Sequence, residues 1–283
     1  MIEVKGLRFS YTKETFIEDM SFVIQKGEIF GLLGPSGAGK STIQKILTGN
    51  IRKYQGSVKV LNKEANTFDK DMYHQIGVQF EVPNLYSKYS ALENLHFFGS
   101  LYHTEVLEAS SLLSWVGLEK DGNKLVKDFS KGMKTRLNFI RAIAHQPKIL
   151  FLDEPTSGLD PINAKIVKDK ILELQKQGTT ILLTTHNMHD VKELCDSVAF
   201  IDQGKILMID DVEHLMTKSN DNPLTYVYQE GPKRIEVNTT IKDIDVLEVG
   251  RLFKEKKIIS MHTKETTLND WFIRLSGREL HDV

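Results

Sequence analysis

A glycine-rich segment has the residue types and spacing that bind phosphate. Gly34, Gly39, Lys40 and Ser41 fit the pattern G-x-x-x-x-G-K-[ST], between an apolar strand pattern and a helical pattern. The glycines let backbone amides face an anion, Lys40 reaches terminal phosphates, and the Ser41 hydroxyl is a candidate magnesium ligand. We therefore predict a nucleotide-phosphate site formed by Gly34, Pro35, Ser36, Gly37, Ala38, Gly39, Lys40, Ser41 and Thr42.

This segment alone does not select the base or the reaction. GTPases use an Asn-Lys-x-Asp segment to recognise guanine, whereas Asn62-Lys63 is followed here by Glu64 and Ala65. The guanine-specific element is therefore missing. At this point a small-molecule kinase remains an alternative.

Two adjacent carboxylates, Asp153 and Glu154, follow the apolar run 148–152. A strand running beside the one that precedes the glycine-rich segment would bring both acids to the edge of the sheet where ligands bind. Asp153 suits a magnesium site. Glu154, expected to point the other way along the strand, suits the general base that activates water. The alternative is an ordinary strand end before a Glu-Pro turn.

The surrounding pattern predicts an α/β protein with a mainly parallel, buried sheet. Strand patterns fill the first third of the chain, and a helix-rich segment follows from about Ala91 to His145. Short apolar strands then alternate with helices, including a helix over 161–177 with Asp160 placed to cap it. We expect these elements to position the phosphate segment and the carboxylates.

The pattern changes after about Met216. A polar segment at 219–223 precedes two short strand patterns, a helix, a strand and a last helix. In the last helix, Leu268, Trp271, Phe272 and Leu275 share one face. We predict a main domain at 1–216, with a helical subdomain at about 84–145, and a small accessory α+β domain at 217–283.

With these motifs in order, the sequence from about Ile2 to Leu215 resembles the nucleotide-binding subunits of ATP-binding cassette (ABC) transporters. The family's signature segment aligns with Phe129-Ser130-Lys131-Gly132-Met133, its D-loop with Ser157-Gly158-Leu159-Asp160, and its switch histidine with His186. Tyr11 falls where the family places an aromatic ring against adenine. The resemblance gives Glu154 and His186 catalytic roles, and it places Tyr11, Ser130, Lys131, Gly132, Met133 and Asp160 at the nucleotide.

The sequence departs from the family pattern at two segments. The signature has Lys131 and Met133 in place of a glycine and a glutamine, a Ser-Lys-Gly-Met variant that resembles exporter subunits. The Q-loop position is assigned to Glu81, because Phe80-Glu81-x-Pro83 keeps the family's register, although Gln79 lies two residues earlier. Glutamate there can still contact magnesium, so the metal candidates are Ser41, Asp153 and Glu81.

The resemblance implies a P-loop ABC ATPase core with an N-terminal antiparallel β subdomain and a helical subdomain. It implies ATP and Mg²⁺ as ligands and a head-to-tail dimer, formed with a second copy or with a related ATPase subunit. It also implies separately encoded transmembrane permease subunits, docked near the helical region after Glu81, at the cytoplasmic face of the membrane. The predicted function is ATP hydrolysis that powers a transporter of the exporter type; the alternative is a soluble ABC ATPase without transport.

The composition of the chain restricts the classes of protein to which it could belong. The formal net charge is −1, so no basic excess suggests nucleic-acid binding. Cys195 is the single cysteine, which excludes an internal disulfide. The apolar runs fall short of the roughly 20 residues that a membrane span needs. His74, His145 and His189 have no ligand partner at a useful spacing and are expected to be structural or solvated.

Overall fold

The computed structural model describes residues 1–12, 14–217, 223–263 and 267–277. Within them the chain divides into two compact units, Met1–Ile209 and a second that begins at Asp210. This division falls earlier than the boundary expected after residue 216. Most of the polar segment 219–223 lies outside the described residues.

The first unit contains two of the three sheets that the described residues form, and most of their helices. Its strands are β1 (Ile2–Phe9), β2 (Ile17–Ile24), β3 (Ile29–Leu33), β4 (Gln55–Val60), β5 (Lys63–Glu64), β6 (Ile76–Gln79), β7 (Ile149–Asp153), β8 (Thr180–Thr185), β9 (Ser197–Asp202) and β10 (Lys205–Asp211), whose last residues fall in the second unit. Its helices are α1 (Lys40–Leu47), α2 (Lys70–Tyr73), α3 (Ala91–Gly99), α4 (Ala109–Trp115), α5 (Lys131–Ile143), α6 (Pro161–Lys176) and α7 (Met188–Leu194). Short 3₁₀ turns cover Ala65–Thr67, Glu119–Asp121 and Val126–Asp128.

The larger sheet places the functional segments at one edge. Its strand order is β10-β9-β3-β8-β7-β6, and the pairs from β9 through β6 are parallel. Every residue of β3, β7 and β8 is buried, as expected for a parallel sheet covered on both faces. The carboxyl ends of β3, β6, β7 and β8 therefore lead to residues 34, 80, 154 and 186 at a common edge.

One expectation about this sheet was wrong. The strand carrying Asp153 is not beside the strand that precedes the glycine-rich segment, because β8 lies between them and pairs with both. Residue patterns along single strands do not encode strand order, and β7 and β8 are both fully buried. The carboxylates still reach the same edge of the sheet.

The smaller antiparallel sheet has the order β2-β1-β4-β5 and shares a core with the larger one. Val4 and Val58 face each other across the β1–β4 pair. The Phe22 and Phe30 rings stack at 5.5 Å, which joins β2 to β3. Ile43 of α1 is buried in the same cluster. This shared core fixes the position of α1, the helix that begins at Lys40.

The predicted helix-rich middle is confirmed as α3, α4 and α5, separated by loops and 3₁₀ turns. A capping box begins α3: Ser90 accepts the Glu93 N–H and the Glu93 carboxylate accepts the Ser90 N–H. Ser130 caps α5 through its hydroxyl, and Asp160 caps α6 as expected. Proline at the first position of α6 has no N–H to leave unsatisfied there.

The second unit contains α8 (Val212–Thr217), β11 (Pro223–Glu230), β12 (Lys233–Thr240), α9 (Val246–Lys254), β13 (Ile258–Thr263) and α10 (Leu268–Ser276). Its antiparallel sheet has the order β12-β11-β13. Val249 and Leu252 of α9 form a core cluster with Leu224 and Tyr226 of the sheet. The predicted α+β character of this segment agrees with these elements.

Candidate functional site

The glycine-rich segment connects β3 to α1 through backbone angles that its glycines allow. Gly37 and Gly39 have φ values of 82° and 109°, in the region that favours glycine. At Gly34 an added Cβ would lie 2.1 Å from the carbonyl oxygen of Ile201, so only glycine fits there. Because α1 begins directly after Gly39, its first amides face the cleft in front of the loop.

Lys40 is the first residue of α1, directly after this loop, and its exposed fraction is 8%. Its ammonium donates to the carbonyl oxygens of Gly34 at 2.6 Å and Pro35 at 3.0 Å. Burial lowers the pKa of Lys40, and the carboxylates of Glu154, Asp153 and Glu81 act against that shift. Two of the three ammonium donors hold the loop, which leaves one for an anion in the cleft.

Asp153 ends β7 and is held by the neighbouring strand. The Thr184 hydroxyl of β8 donates to the Asp153 carboxylate, and Asp153 is 4% exposed. A buried carboxylate costs free energy unless it is hydrogen-bonded or faces a cation. The intervening strand β8 therefore supplies the group that orients Asp153.

Glu154 does not continue the strand, which corrects the expectation that it points the other way along it. Strand β7 ends at Asp153, and Glu154 has a left-handed backbone with φ of 49°. Its carboxylate accepts the His186 N–H at 2.9 Å and the Thr185 hydroxyl at 3.0 Å. The His186 Nδ1 atom lies 2.7 Å from the same carboxylate. This turn, and not strand alternation, aims Glu154 at the cleft.

A cleft of about 220 Å³ brings the predicted groups together. Its walls include Lys40 and Ser41 of the phosphate-binding segment together with four residues from the ends of three strands, Glu81, Asp153, Glu154 and His186. A cationic loop therefore faces three carboxylates across a small space. That arrangement suits a polyphosphate with a divalent cation between it and the acids.

The glutamine that ends β6 is buried, whereas the glutamate in the loop after β6 is exposed. Gln79 is 1% exposed, and its carbonyl oxygen accepts from the Gln44 side chain of α1 at 3.3 Å. Glu81 is exposed and lines the cleft. Glu81 is therefore the residue of this segment that can contact a ligand there.

The aromatic side of the cleft contains a residue that the sequence reasoning missed. Phe16 lines the cleft, and its ring lies 3.6 Å from the Cβ position of Gly39. Tyr11, 60% exposed, stands next to it with ring centroids 5.7 Å apart. The Tyr11 hydroxyl is 3.0 Å from the Thr42 hydroxyl. Phe16 precedes β2 in an otherwise polar segment, so nothing local marked it as a site residue.

The signature and D-loop segments contact each other and are not among the residues that line this cleft. Ser130 accepts the Met133 N–H at 3.2 Å and begins α5. Lys131 approaches Ser157 at 3.5 Å, and the Cβ position of Gly132 lies 3.2 Å from the Gly158 carbonyl oxygen. Asp160 accepts the N–H groups of Ile162 and Asn163. The start of α5 thus offers unpaired amides to a ligand other than one held by its own loop.

The side chains of the cleft that could bind a metal ion would do so through oxygen atoms. Ser41, Asp153 and Glu81 supply a hydroxyl and carboxylates, the hard ligands that Mg²⁺ prefers. In the described part of the chain, no three His, Cys, Asp or Glu side chains are arranged to hold a metal by themselves. Magnesium is commonly bound by one or two carboxylates plus substrate phosphates, so these residues fit it.

Comparison with known proteins identifies the family. The family described as ABC transporter matches residues 17–157. A fluoroquinolones export ATP-binding protein of Mycobacterium tuberculosis is 42% identical over 284 residues, covering 99% of this chain and 94% of that protein. A Nod factor export ATP-binding protein of Rhizobium johnstonii is 31% identical, covering 99% and 96%. The chain belongs to the ABC transporter family.

The fold agrees with this assignment. The solved structure of an ATP-binding subunit of an ABC transporter superposes with a TM-score of 0.70 at 28% identity, covering 77% of this chain and 92% of that one. The predicted ABC ATPase fold is therefore confirmed, and this ABC subunit binds and hydrolyses ATP to power a transporter. Among the described residues, no helix has the length and apolar character needed to cross a bilayer.

Proposed function

We propose that this ABC subunit drives export through separately encoded membrane subunits, at the cytoplasmic face of the membrane. Export is supported by the names of the relatives, which include fluoroquinolone and Nod factor export proteins. Their similarity extends over nearly the whole chain, including the second unit.

Within one cleft, each residue has a role that its contacts support. Lys40 and the loop amides would bind the phosphates. Ser41, Asp153 and Glu81 would hold Mg²⁺, which would supply positive charge at the phosphates and the leaving group. Glu154 accepts a proton from the attacking water, and His186 holds the Glu154 carboxylate through the 2.7 Å contact. Tyr11 and Phe16 form an aromatic wall suited to the base.

ATP is proposed to lie between the loop of one copy and the signature segment of another. The observation that carries this proposal is the position of Ser130, which begins α5 and does not line the cleft of its own chain. Free amides at that helix start bind anions, and lysine at position 131 adds positive charge. Closing two copies head to tail would add donors to the terminal phosphate and exclude water, while Asp160 would lie at the interface.

The experiment measures ATP-dependent dimerisation. Glu154→Gln keeps the size of the side chain and removes the proton acceptor, so bound ATP should persist and convert monomer to dimer, read by light scattering with Mg²⁺. Adding Ser130→Arg should abolish that dimer, because the larger side chain would occupy the terminal phosphate site. Ser114→Arg, at an exposed serine of α4, is the matched control and should dimerise normally. Equal dimerisation of all three variants would contradict the proposed interface.

The surface proposed to dock the permease is the aromatic cluster of the helical region, formed by Tyr86, Tyr89, Phe97 and Phe98. Tyr86 is 47% and Tyr89 41% exposed, a large apolar exposure for adjacent aromatic rings. The cluster follows Glu81 in the chain, so docking there would act close to the cleft. Aromatic residues are typical of the energetically important centres of protein interfaces.

A pair of substitutions tests this surface. Tyr89→Ser should reduce recovery of the subunit with membranes that contain the permease, by about tenfold or more for an interface centre. Val23→Ser, at a similarly exposed apolar residue of β2, should leave recovery unchanged. Equal recovery of both variants would place the docking surface elsewhere.

A further inference from the structure

The outer edge of β6 is hydrogen-bonded to side chains of α5, here called the signature helix because Ser130 of the signature segment caps it, and of the turn after α5. Asn138, Arg141 and His145 donate to the carbonyl oxygens of Phe80, Val78 and Ile76 at 3.0, 3.2 and 2.9 Å respectively. Asn138 and Arg141 are three residues apart in α5, and His145 lies four residues further on, in the turn after the helix. The acceptors are alternate residues of an extended segment. Helix and strand therefore run in opposite directions in register.

The spacing explains how three contacts form at once. Three or four helical residues rise about 4.5–6 Å, and two extended residues about 6.6 Å, so the flexible side chains absorb the small difference. Strand β6 is at the end of the sheet and pairs with β7 on one side. Its outer carbonyl groups would otherwise need water or another partner. The helix and the turn after it supply those partners as a ladder of three hydrogen bonds.

The protonation state of His145 in this ladder follows from its pKa and from its hydrogen-bond partner. Burial, together with nearby His74 and Arg141, lowers the pKa of His145 to about 4, against the raising effect of its bond to Ile76. The imidazole is therefore neutral near pH 7. A carbonyl only accepts, so the Nε2 atom carries the hydrogen that is donated to Ile76.

The ladder connects two parts of the nucleotide site. Glu81 directly follows Phe80, the last acceptor, and Ser130 caps α5, the helix that carries Asn138 and Arg141 and ends two residues before His145. On the other side, Gln44 of α1 donates to the Gln79 carbonyl oxygen. The backbone just before Glu81 is thus held by the phosphate-loop helix and by the signature helix together.

We propose that Asn138 is a positioning residue for Glu81, and that the ladder makes Glu81 and Ser130 move as one body. This rests on the proposed role of Glu81 at the metal and nucleotide. Asn138 touches neither ligand and acts only through the Phe80 carbonyl. Its loss lets the Glu81 segment shift within the cleft and relative to the start of α5. Asn138 is 1% exposed, so the bond has no ready replacement from water.

A double-mutant cycle on ATP hydrolysis by the full chain tests the proposal. Asn138→Leu, similar in size but without a donor, should lower kcat about tenfold in the presence of Glu81. In a Glu81→Ala background, Asn138→Leu should alter kcat less than about twofold, because the Glu81 carboxylate that Asn138 positions is absent. ATP affinity measured without Mg²⁺, which depends on the phosphate loop, should stay the same in all four proteins.

The matched control is Asn94→Leu, which replaces another fully buried asparagine whose bonds are to Tyr86 and Ser90. Any effect it has on kcat should be equal in the two backgrounds. Where Asn138→Leu lowers the yield of folded protein, Asn138→Ala serves in the same cycle. Equal fold-changes for Asn138 substitution in both backgrounds would overturn the positioning role. An unchanged kcat in Glu81→Ala alone would instead refute the proposed role of Glu81.

Discussion

The first unit should lose stability in mild acid through a single buried histidine. His145 is 3% exposed, its ring stacks on Tyr102 at 3.9 Å, and burial lowers its pKa to about 4. In the unfolded chain its pKa returns to the ordinary value of 6.5. Between these two values the unfolded chain binds the proton and the folded chain does not. This stabilisation is therefore complete above pH 6.5 and is lost as the pH falls towards 4.

The magnitude follows from the two pKa values. Between pH 7.5 and pH 5, proton binding to the unfolded state lowers the free energy of unfolding by about 2 kcal/mol through this residue. His145→Gln keeps an N–H donor for Ile76 and cannot be protonated, so it should lack this contribution. Other groups also titrate in this range, and the difference between wild type and variant isolates His145.

The assay is denaturant unfolding at the two pH values, followed by tryptophan fluorescence. The chain has two tryptophans, Trp115 and Trp271, one in each unit. With Trp271→Phe in all proteins, the signal of Trp115 reports the first unit alone. Wild type should lose about 2 kcal/mol more than His145→Gln on moving from pH 7.5 to pH 5. Equal losses in the two proteins would refute the argument from burial.

Three further changes test the site and the domain division. Lys40→Ala should weaken ATP binding by about 10²-fold without unfolding the chain, in a nucleotide titration with Lys45→Ala of the same helix as control. Gly34→Ala should destabilise the first unit by about 1–3 kcal/mol and impair ATP binding, because its Cβ would collide with the Ile201 carbonyl oxygen. A chain ending at Asp211, the last residue of β10, should still bind ATP; a folded truncation without binding would contradict the domain division.

The phosphate loop could be predicted from sequence because its determinants are local. Gly34, Gly39, Lys40 and Ser41 are consecutive or nearly so, and the strand before them and helix after them follow from short-range pattern. The α+β character of the second unit could be predicted for the same reason, because its strand and helix patterns are local features of the sequence. Leu268 and Phe272, predicted to share one face of the last helix, are both buried. Structure that depends on residues close together in the chain can therefore be predicted from the sequence.

Features that depend on chain segments far apart could not be predicted. The insertion of β8 between β3 and β7, which brings Thr184 to Asp153, is a property of strand order. The left-handed backbone of Glu154 depends on contacts with Thr185 and His186, more than thirty positions later. Phe16 reaches the cleft only because β2 and the loop meet in space. In each instance the cause is tertiary packing, which overrides local pattern.

The proposal that two copies share each ATP is tested most directly by mixing two inactive variants. Lys40→Ala removes the phosphate-binding lysine but keeps the signature segment, and Ser130→Arg does the opposite. In a head-to-tail dimer of one copy of each, one site combines the intact loop with the intact signature segment. Each variant alone should be inactive, and an equal mixture should recover up to about a quarter of wild-type ATP hydrolysis, since half the dimers contain one working site. A mixture as inactive as its components would show that Ser130 does not act on the ATP of a second copy.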